Sequence, residues 1–107
     1  MPTYNKLVRD KIPDIIKKSG KIFTSKKLSN DEYIEALYKK LYEEIEELTK
    51  ANSQSEVVEE AADVLELLYA LMKVNGTSIE ELENVRAEKK KHRGGFENRV
   101  FLQEVSE

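Results

Sequence analysis

Three short polar sequences, each of a kind that begins a helix, divide most of the chain into long segments. Residues 29–32 and 53–56 each place a serine three positions before a glutamate, which is the spacing of a capping box. Residues 77–80 give a third start signal, directly after an Asn-Gly pair that can end the preceding helix. Helix breakers are scarce, because only four glycines and two prolines occur in 107 residues. We therefore predict an all-α fold in a single domain that spans residues 1–107.

The apolar positions predict that this fold is built on a helical hairpin. From residue 30 to about residue 50, apolar side chains recur every three or four positions and form one stripe along a helix. The members of this stripe are Ile34, Leu37, Tyr38, Leu41, Ile45 and Leu48. The next helix is apolar on nearly every side from residue 61 to residue 74, which predicts a central element or a subunit interface. This helix and the two long helices on either side of it in sequence make an incomplete bundle, so we expect at least two chains to pair.

The two ends of the chain are predicted to be less regular. Asp10 is a candidate cap for a short helix that tolerates Pro13 in its first turn and ends at Gly20. The third long helix is expected to end before Gly94. The tail at 96–105 is expected to be short and extended.

Composition excludes several kinds of functional site. The chain has no cysteine and one histidine, which excludes disulfide, iron–sulfur and thiolate zinc sites. It contains neither an apolar run of the roughly 20 residues that a membrane helix needs nor the core of a signal peptide. We therefore expect a cytoplasmic protein without membrane contact.

The charge is divided unevenly along the chain. The net charge is +6 over residues 1–27, −11 over residues 28–83 and +2 over residues 84–107. Nucleic-acid binders have a dominant basic face, so we expect no nucleic-acid polymer as a partner. The pattern fits an acidic cation site beside basic ends that contact phosphate, and it equally fits a charged helical surface.

Four carboxylates in the acidic middle have a spacing that suggests a metal site. Glu44 and Glu47 are three residues apart, and after a gap of twelve residues Glu60 and Asp63 repeat that spacing. Residues three apart lie on neighbouring turns of one side of a helix. An antiparallel hairpin therefore brings the two pairs together near its closed end.

Four carboxylates held together repel one another, and two remedies exist. One is pairing with lysine or arginine, but only Lys40 and Lys50 lie nearby in sequence. The other is a hard cation, and oxygen ligands without Cys or His favour Mg²⁺ or Mn²⁺ over zinc. The alternative is an acid-rich hairpin whose carboxylates are simply solvated.

The carboxylate motif resembles that of a known superfamily. Residues 41–48 and 60–64 resemble the metal-binding motif of the all-α nucleoside triphosphate pyrophosphohydrolases. This group includes MazG-type, dimeric dUTPase-type and phosphoribosyl-ATP pyrophosphohydrolase enzymes. Residues 4–13 and 93–96 resemble a compact phosphoribosyl-ATP pyrophosphohydrolase-like branch.

The resemblance implies a fold, an activity and a ligand set. It implies a four-helix core completed by a homodimer or tetramer, and Mg²⁺-dependent hydrolysis of a nucleoside triphosphate, for example a non-canonical one, to the monophosphate and pyrophosphate. It also implies that four carboxylates bind the metal and that one of them acts on the attacking water. By this resemblance the metal-binding and catalytic residues are Glu44, Glu47, Glu60 and Asp63.

Basic residues near the two ends are candidates for binding the substrate phosphates. They are Arg9 and Lys11 in the N-terminal arm, and Lys90 and Arg93 beside a glycine pair. Arginine suits bidentate phosphate binding, and glycine lets the backbone approach closely. The alternative is a solvated basic helix end.

Two other functions remain open at the level of sequence. One is phosphoribosyl-ATP hydrolysis in histidine biosynthesis, which no residue distinguishes from removal of other nucleotides. The other is a non-catalytic helical module for oligomerisation or binding.

Overall fold

The computed structural model describes residues 3–107 and contains four helices there. They are α1 (Ile12–Lys18), α2 (Asn30–Thr49), α3 (Gln54–Val74) and α4 (Ile79–Arg93). No strand occurs within these residues, so the all-α prediction is confirmed. The predicted domain begins two residues earlier, and residues 1 and 2 lie outside the described part. In the part described, no helix is long and apolar enough to cross a membrane.

The long helices begin where their cap sequences predict. At the start of α2, Ser29 and Glu32 form a complete capping box, in which each side chain accepts a hydrogen bond from the other residue's backbone N–H. At the start of α3, Ser53 accepts from the backbone N–H of Glu56. The reciprocal bond predicted there is absent, because the Glu56 carboxylate accepts from the N–H of Asn52 instead, at 2.8 Å.

The prediction for the start of α1 is wrong. Its N-cap residue is Lys11, which makes no side-chain capping bond, and Asp10 lies one position earlier. Pro13 does lie in the first turn, where a missing N–H costs no helical bond. Gly20 follows the helix with φ of 83°, a left-handed conformation that glycine adopts without strain.

Helices α2 and α3 form an antiparallel hairpin that contains the core. Leu37, in the first half of α2, and Leu71, in the second half of α3, are the two buried apolar residues of the described chain. Helix α3 also packs against α4, so it is the middle element, as predicted. Even so, Val58 and Leu65 on α3 remain 64% and 44% exposed.

A single chain leaves a large surface uncovered. It exposes 9998 Å², whereas a compact monomer of 12.4 kDa exposes roughly 6,100 Å². Its Cα radius of gyration is 18.4 Å, against about 13 Å for a compact domain of this length. The C-terminal tail contributes to this surface, because its apolar side chains are 72% to 97% exposed from Phe96 to Val105. The tail was predicted to be extended, but it begins with a turn in which the Arg99 N–H donates to the Phe96 carbonyl.

Candidate metal centre

Three acidic side chains meet where the second half of α2 lies against the first half of α3. Carboxylate oxygens of Glu44, Glu60 and Asp63 all lie within 4.8 Å of one another. Glu60 and Asp63 are one turn apart on α3, and the antiparallel hairpin places Glu44 of α2 opposite them. All three are partly buried. We call these three residues the carboxylate cluster.

The fourth predicted ligand, Glu47, is not part of this cluster in the described residues. It lies nearly one turn further along α2, and its side chain is exposed. Its negative charge nevertheless contributes to raising the pKa of Glu60. Glu47 is therefore close enough to influence the cluster electrostatically without being held in it.

Two basic residues lie against the cluster, one of them from a distant part of the chain. Lys40, one turn before Glu44, has its Nζ 3.3 Å from the Glu44 carboxylate. Arg9 donates a 2.7 Å hydrogen bond to Oδ1 of Asp63. The sequence suggested Lys50 as the other local cation, but Lys50 pairs with Glu46, away from the cluster.

Glu60 is the member of the cluster that these cations do not contact directly. Lost solvation is the largest cause that raises the pKa of Glu60 above 4.5, followed by the charges of Glu44 and Asp63. A hydrogen bond to Glu44, which favours the protonated form, acts in the same direction. Lys40 and Arg9 therefore do not neutralise all the carboxylates of the cluster.

Of the four basic residues predicted to bind phosphate, the structure brings Arg9 to the cluster. The arm before α1 runs along the hairpin, and the Arg9 guanidinium is 57% exposed while paired with Asp63. Lys90 and Arg93 lie in the exposed last turn of α4, and Lys11 is exposed at the start of α1. Within residues 3–107, these three make no ion pair with a carboxylate.

The carboxylate cluster and Arg9 lie in a region of the chain that matches a known protein family. A model of the family described as phosphoribosyl-ATP pyrophosphohydrolase matches residues 2–90, which include the whole carboxylate cluster and Arg9. The chain belongs to the phosphoribosyl-ATP pyrophosphohydrolase family. This family is part of the MazG-like all-α superfamily that the carboxylate motif resembles. Arg93 lies beyond the matched residues.

A curated relative matches about half of this chain. It is a protein of Mycolicibacterium smegmatis (strain ATCC 700084 / mc(2)155), described as uncharacterized, and it is 45% identical over 53 residues. These residues are 50% of this chain and 54% of the relative, so the match spans about half the length of each. No solved structure matches the chain.

The cluster offers oxygen donors of the kind that hard divalent cations prefer. Oxygens bound to one Mg²⁺ at about 2.1 Å lie at most about 4.2 Å apart. The cluster oxygens lie within 4.8 Å of one another, which is close to that limit. Three carboxylates without Cys or His fit Mg²⁺ or Mn²⁺ better than zinc. In this phosphoribosyl-ATP pyrophosphohydrolase fold, the hairpin therefore places suitable ligands together.

Proposed function

We propose that this protein hydrolyses a nucleoside triphosphate, or a nucleotide that carries the same triphosphate group, to a monophosphate and pyrophosphate. The observation that supports this most strongly is the convergence of Glu44, Glu60 and Asp63 from two helices onto one point. Membership of the phosphoribosyl-ATP pyrophosphohydrolase family supports the reaction class. In the reaction a water oxygen bonds to the α-phosphorus, and the bond from that phosphorus to the bridging oxygen of the leaving pyrophosphate breaks.

The carboxylates are assigned to binding a divalent cation, Mg²⁺ or Mn²⁺. Glu44, Glu60 and Asp63 hold it, and Glu47 completes the set by a change of rotamer, since its side chain is exposed on the same helix as Glu44. When bound, the ion polarises the phosphoryl oxygens and offsets their negative charge. A carboxylate of this set also accepts the proton that the attacking water loses.

Arg9 is assigned to the substrate phosphates. It is a partly exposed guanidinium beside Asp63, so a phosphate bound at the cluster comes within its reach. Guanidinium groups bind phosphate oxygens through two parallel hydrogen bonds, which orient the phosphate as well as attract it. Lys11, Lys90 and Arg93 remain candidates for further phosphate contacts.

The substrate has two candidates that share this chemistry. One is a nucleoside triphosphate, including non-canonical ones, whose hydrolysis removes it from the nucleotide pool. The other is phosphoribosyl-ATP, which the name of the matching family favours and which would place the protein in histidine biosynthesis. Hydrolysis of either substrate to its monophosphate releases pyrophosphate.

We assign the functional unit to a homodimer or tetramer in the cytoplasm. The support for assembly is the uncovered apolar surface of α3 and the large area that one chain exposes. Further helices from a second copy would complete a four-helix core around the hairpin.

The proposed activity is tested by measuring pyrophosphate release. Purified protein is incubated with Mg²⁺ and, separately, with standard nucleoside triphosphates, non-canonical ones and phosphoribosyl-ATP. We expect release above background that chelation of Mg²⁺ abolishes, and we expect Glu60→Gln to abolish it as well. Glu59→Gln is the matched control, because Glu59 is the exposed neighbour of Glu60 outside the cluster.

The pattern across substrates separates the alternatives. Release from phosphoribosyl-ATP alone assigns the protein to histidine biosynthesis, whereas release from nucleoside triphosphates assigns it to the nucleotide pool. Absence of release from every substrate, together with no Mg²⁺ binding, would contradict the enzymatic function and leave a helical oligomerisation or binding module.

A further inference from the structure

A second feature of the hairpin is a half-open cavity of about 400 Å³. Its walls come from the N-terminal arm, the start of α2 and the second half of α3. This volume lies within the range of about 300–1,000 Å³ that is usual for small-molecule sites. The polar and aromatic side chains that line it include Asp10, Tyr33, Glu66, Tyr69 and Lys73.

Two parts of the chain place this cavity next to the carboxylate cluster. In the arm, Arg9 contacts Asp63 of the cluster, and the next residue, Asp10, lines the cavity. On α3, Glu66 lies one turn beyond Asp63 on the same side of the helix. Tyr69 follows at about 9 Å from Asp63 along the helix axis, from a rise of 1.5 Å per residue. The cavity is therefore within reach of the other end of a ligand whose phosphates lie at the cluster.

The lining offers two kinds of contact to a planar ring. Tyr33 from α2 and Tyr69 from α3 both line the cavity and are half-buried, so their rings are accessible and supported by the hairpin. Base–aromatic stacking suits every nucleobase, because each has a π-face. Two carboxylates, Asp10 and Glu66, line the same space and are hydrogen-bond acceptors only.

We propose that this cavity is the nucleobase subsite and that it favours a base with an exocyclic amino group. This inference rests on the proposed function, since it places the far end of the same substrate. Tyr33 and Tyr69 stack on the base, while the carboxylate of Asp10 or Glu66 accepts a hydrogen bond from its amino group. A base that has a carbonyl oxygen at that position presents an acceptor to an acceptor, which is repulsive. Lys73 also lines the cavity and is a hydrogen-bond donor for a ring carbonyl.

Cytidine and uridine provide a direct comparison, because they differ at one ring position, an amino group in one and a carbonyl in the other. Their binding is followed on the full chain by nuclear magnetic resonance titration, without Mg²⁺ and without any phosphate. We expect cytidine to bind about tenfold more tightly than uridine, as one hydrogen bond to a charged group provides. Equal binding of the two nucleosides, or tighter binding of uridine, would overturn the amino-group preference.

Substitutions then locate the subsite. The double variant Asp10→Asn/Glu66→Gln supplies amide donors and is expected to remove the preference for cytidine. Asp14→Asn/Glu59→Gln is its matched control, because both residues are exposed and neither lines the cavity. Unchanged preference in the first double variant, or a loss of preference in the control, would contradict the role of these carboxylates.

The tyrosines are tested by removing and then restoring the ring. Tyr69→Ala is expected to weaken nucleoside binding about 5- to 150-fold, the usual range for loss of a stacked aromatic ring, while Tyr69→Phe is expected to retain it. Tyr42→Ala serves as a control, because Tyr42 is 72% exposed on α2 and lies outside the cavity. Binding that survives Tyr69→Ala, or that falls equally in Tyr42→Ala, would overturn the assignment of this cavity.

A wrong subsite and a wrong proposed activity would give different results in these experiments. If pyrophosphate is released but the cavity variants do not change nucleoside binding, the proposed reaction is supported and the proposed subsite is wrong. Nucleoside binding that depends on the cavity, without pyrophosphate release from any substrate, keeps the subsite and contradicts the reaction.

Discussion

Glu60 has the least compensated charge among the residues of the carboxylate cluster. Lys40 contacts Glu44 and Arg9 contacts Asp63, but the ion pairs of the described residues leave Glu60 without a direct cation. Substitution of Asp63 would also release Arg9, so its effects would combine two changes. Glu60→Gln removes one of the repelling charges and leaves both ion pairs intact. Glu60 is therefore the position at which the cluster is best tested.

The raised pKa of Glu60 predicts how stability depends on pH without metal. Because the folded protein holds the Glu60 proton more tightly than the unfolded chain does, the contribution of Glu60 to stability is fully present below its ordinary pKa of 4.5 and is lost as pH rises through the raised pKa. Glu60→Gln removes this contribution. In urea denaturation with a chelator present, we expect wild type to lose more stability than Glu60→Gln between pH 4.5 and pH 7.

The control for this pH dependence is Glu59→Gln, which should follow wild type because Glu59 is outside the cluster. If the free energy of unfolding depends on pH in the same way for wild type and Glu60→Gln, the carboxylates of the cluster do not repel one another in the folded protein.

Arg9 gives a second prediction at the scale of a residue. If Arg9 binds a substrate phosphate, Arg9→Ala removes a charge-assisted hydrogen bond. The transition state should then lose about 1.5–3 kcal/mol of stabilisation, which is measured as a fall in kcat/KM. Arg86→Ala is the control, because Arg86 is exposed and pairs with Glu83 on α4, outside the carboxylate cluster. Equal kcat/KM for wild type and Arg9→Ala would limit Arg9 to its structural pairing with Asp63.

Single residues also show what the sequence could and could not predict. Glu44, Glu60 and Asp63 were predictable, because their positions depend on helical periodicity and one hairpin. The partner of Asp63 was not, because Arg9 is 54 residues away and its contact depends on how the arm returns to the hairpin. The cavity could not be predicted either, since Tyr33 and Tyr69 meet there through the same tertiary arrangement.

Among the elements, the capped helices followed local rules closely. The complete capping box of α2 uses residues within four positions, so the sequence contains all of its information. The predicted Asp10 cap failed, because the turn before α1 places Lys11 at the N-cap position. At α3 the choice of Glu56 between the backbone groups of Ser53 and Asn52 depends on the tight connection from α2, which no local pattern specifies.

The capping box of α2 predicts a measurable loss of stability. Ser29→Ala removes the acceptor for the Glu32 N–H, and the free energy of unfolding should fall by about 1 kcal/mol. Ser29→Gly should cost only a few tenths of a kcal/mol. The free energies are compared by urea denaturation at one protein concentration. An unchanged free energy of unfolding in Ser29→Ala would mean that the serine hydroxyl does not stabilise the helix by capping it.

For the whole molecule, the uncovered surface predicts assembly. One chain exposes 9998 Å² and leaves apolar residues of α3, such as Val58 and Leu65, in contact with solvent. Soluble monomers rarely expose large contiguous apolar patches. At micromolar concentration, sedimentation equilibrium should give a mass of at least two chains. A mass near 12.4 kDa would contradict assembly.

The central claim is that the α2–α3 hairpin binds a divalent cation through the carboxylate cluster, and thermal melting tests it most directly. Wild type, Glu60→Gln and Glu59→Gln are melted at equal concentration, with Mg²⁺ or with a monovalent salt of matched ionic strength. At 100 times the dissociation constant, Mg²⁺ should stabilise wild type and Glu59→Gln by about 2.7 kcal/mol. Glu60→Gln should show little of this effect and, without metal, should be at least as stable as wild type. Equal shifts in all three proteins, or no shift in any, would contradict a metal centre at this cluster.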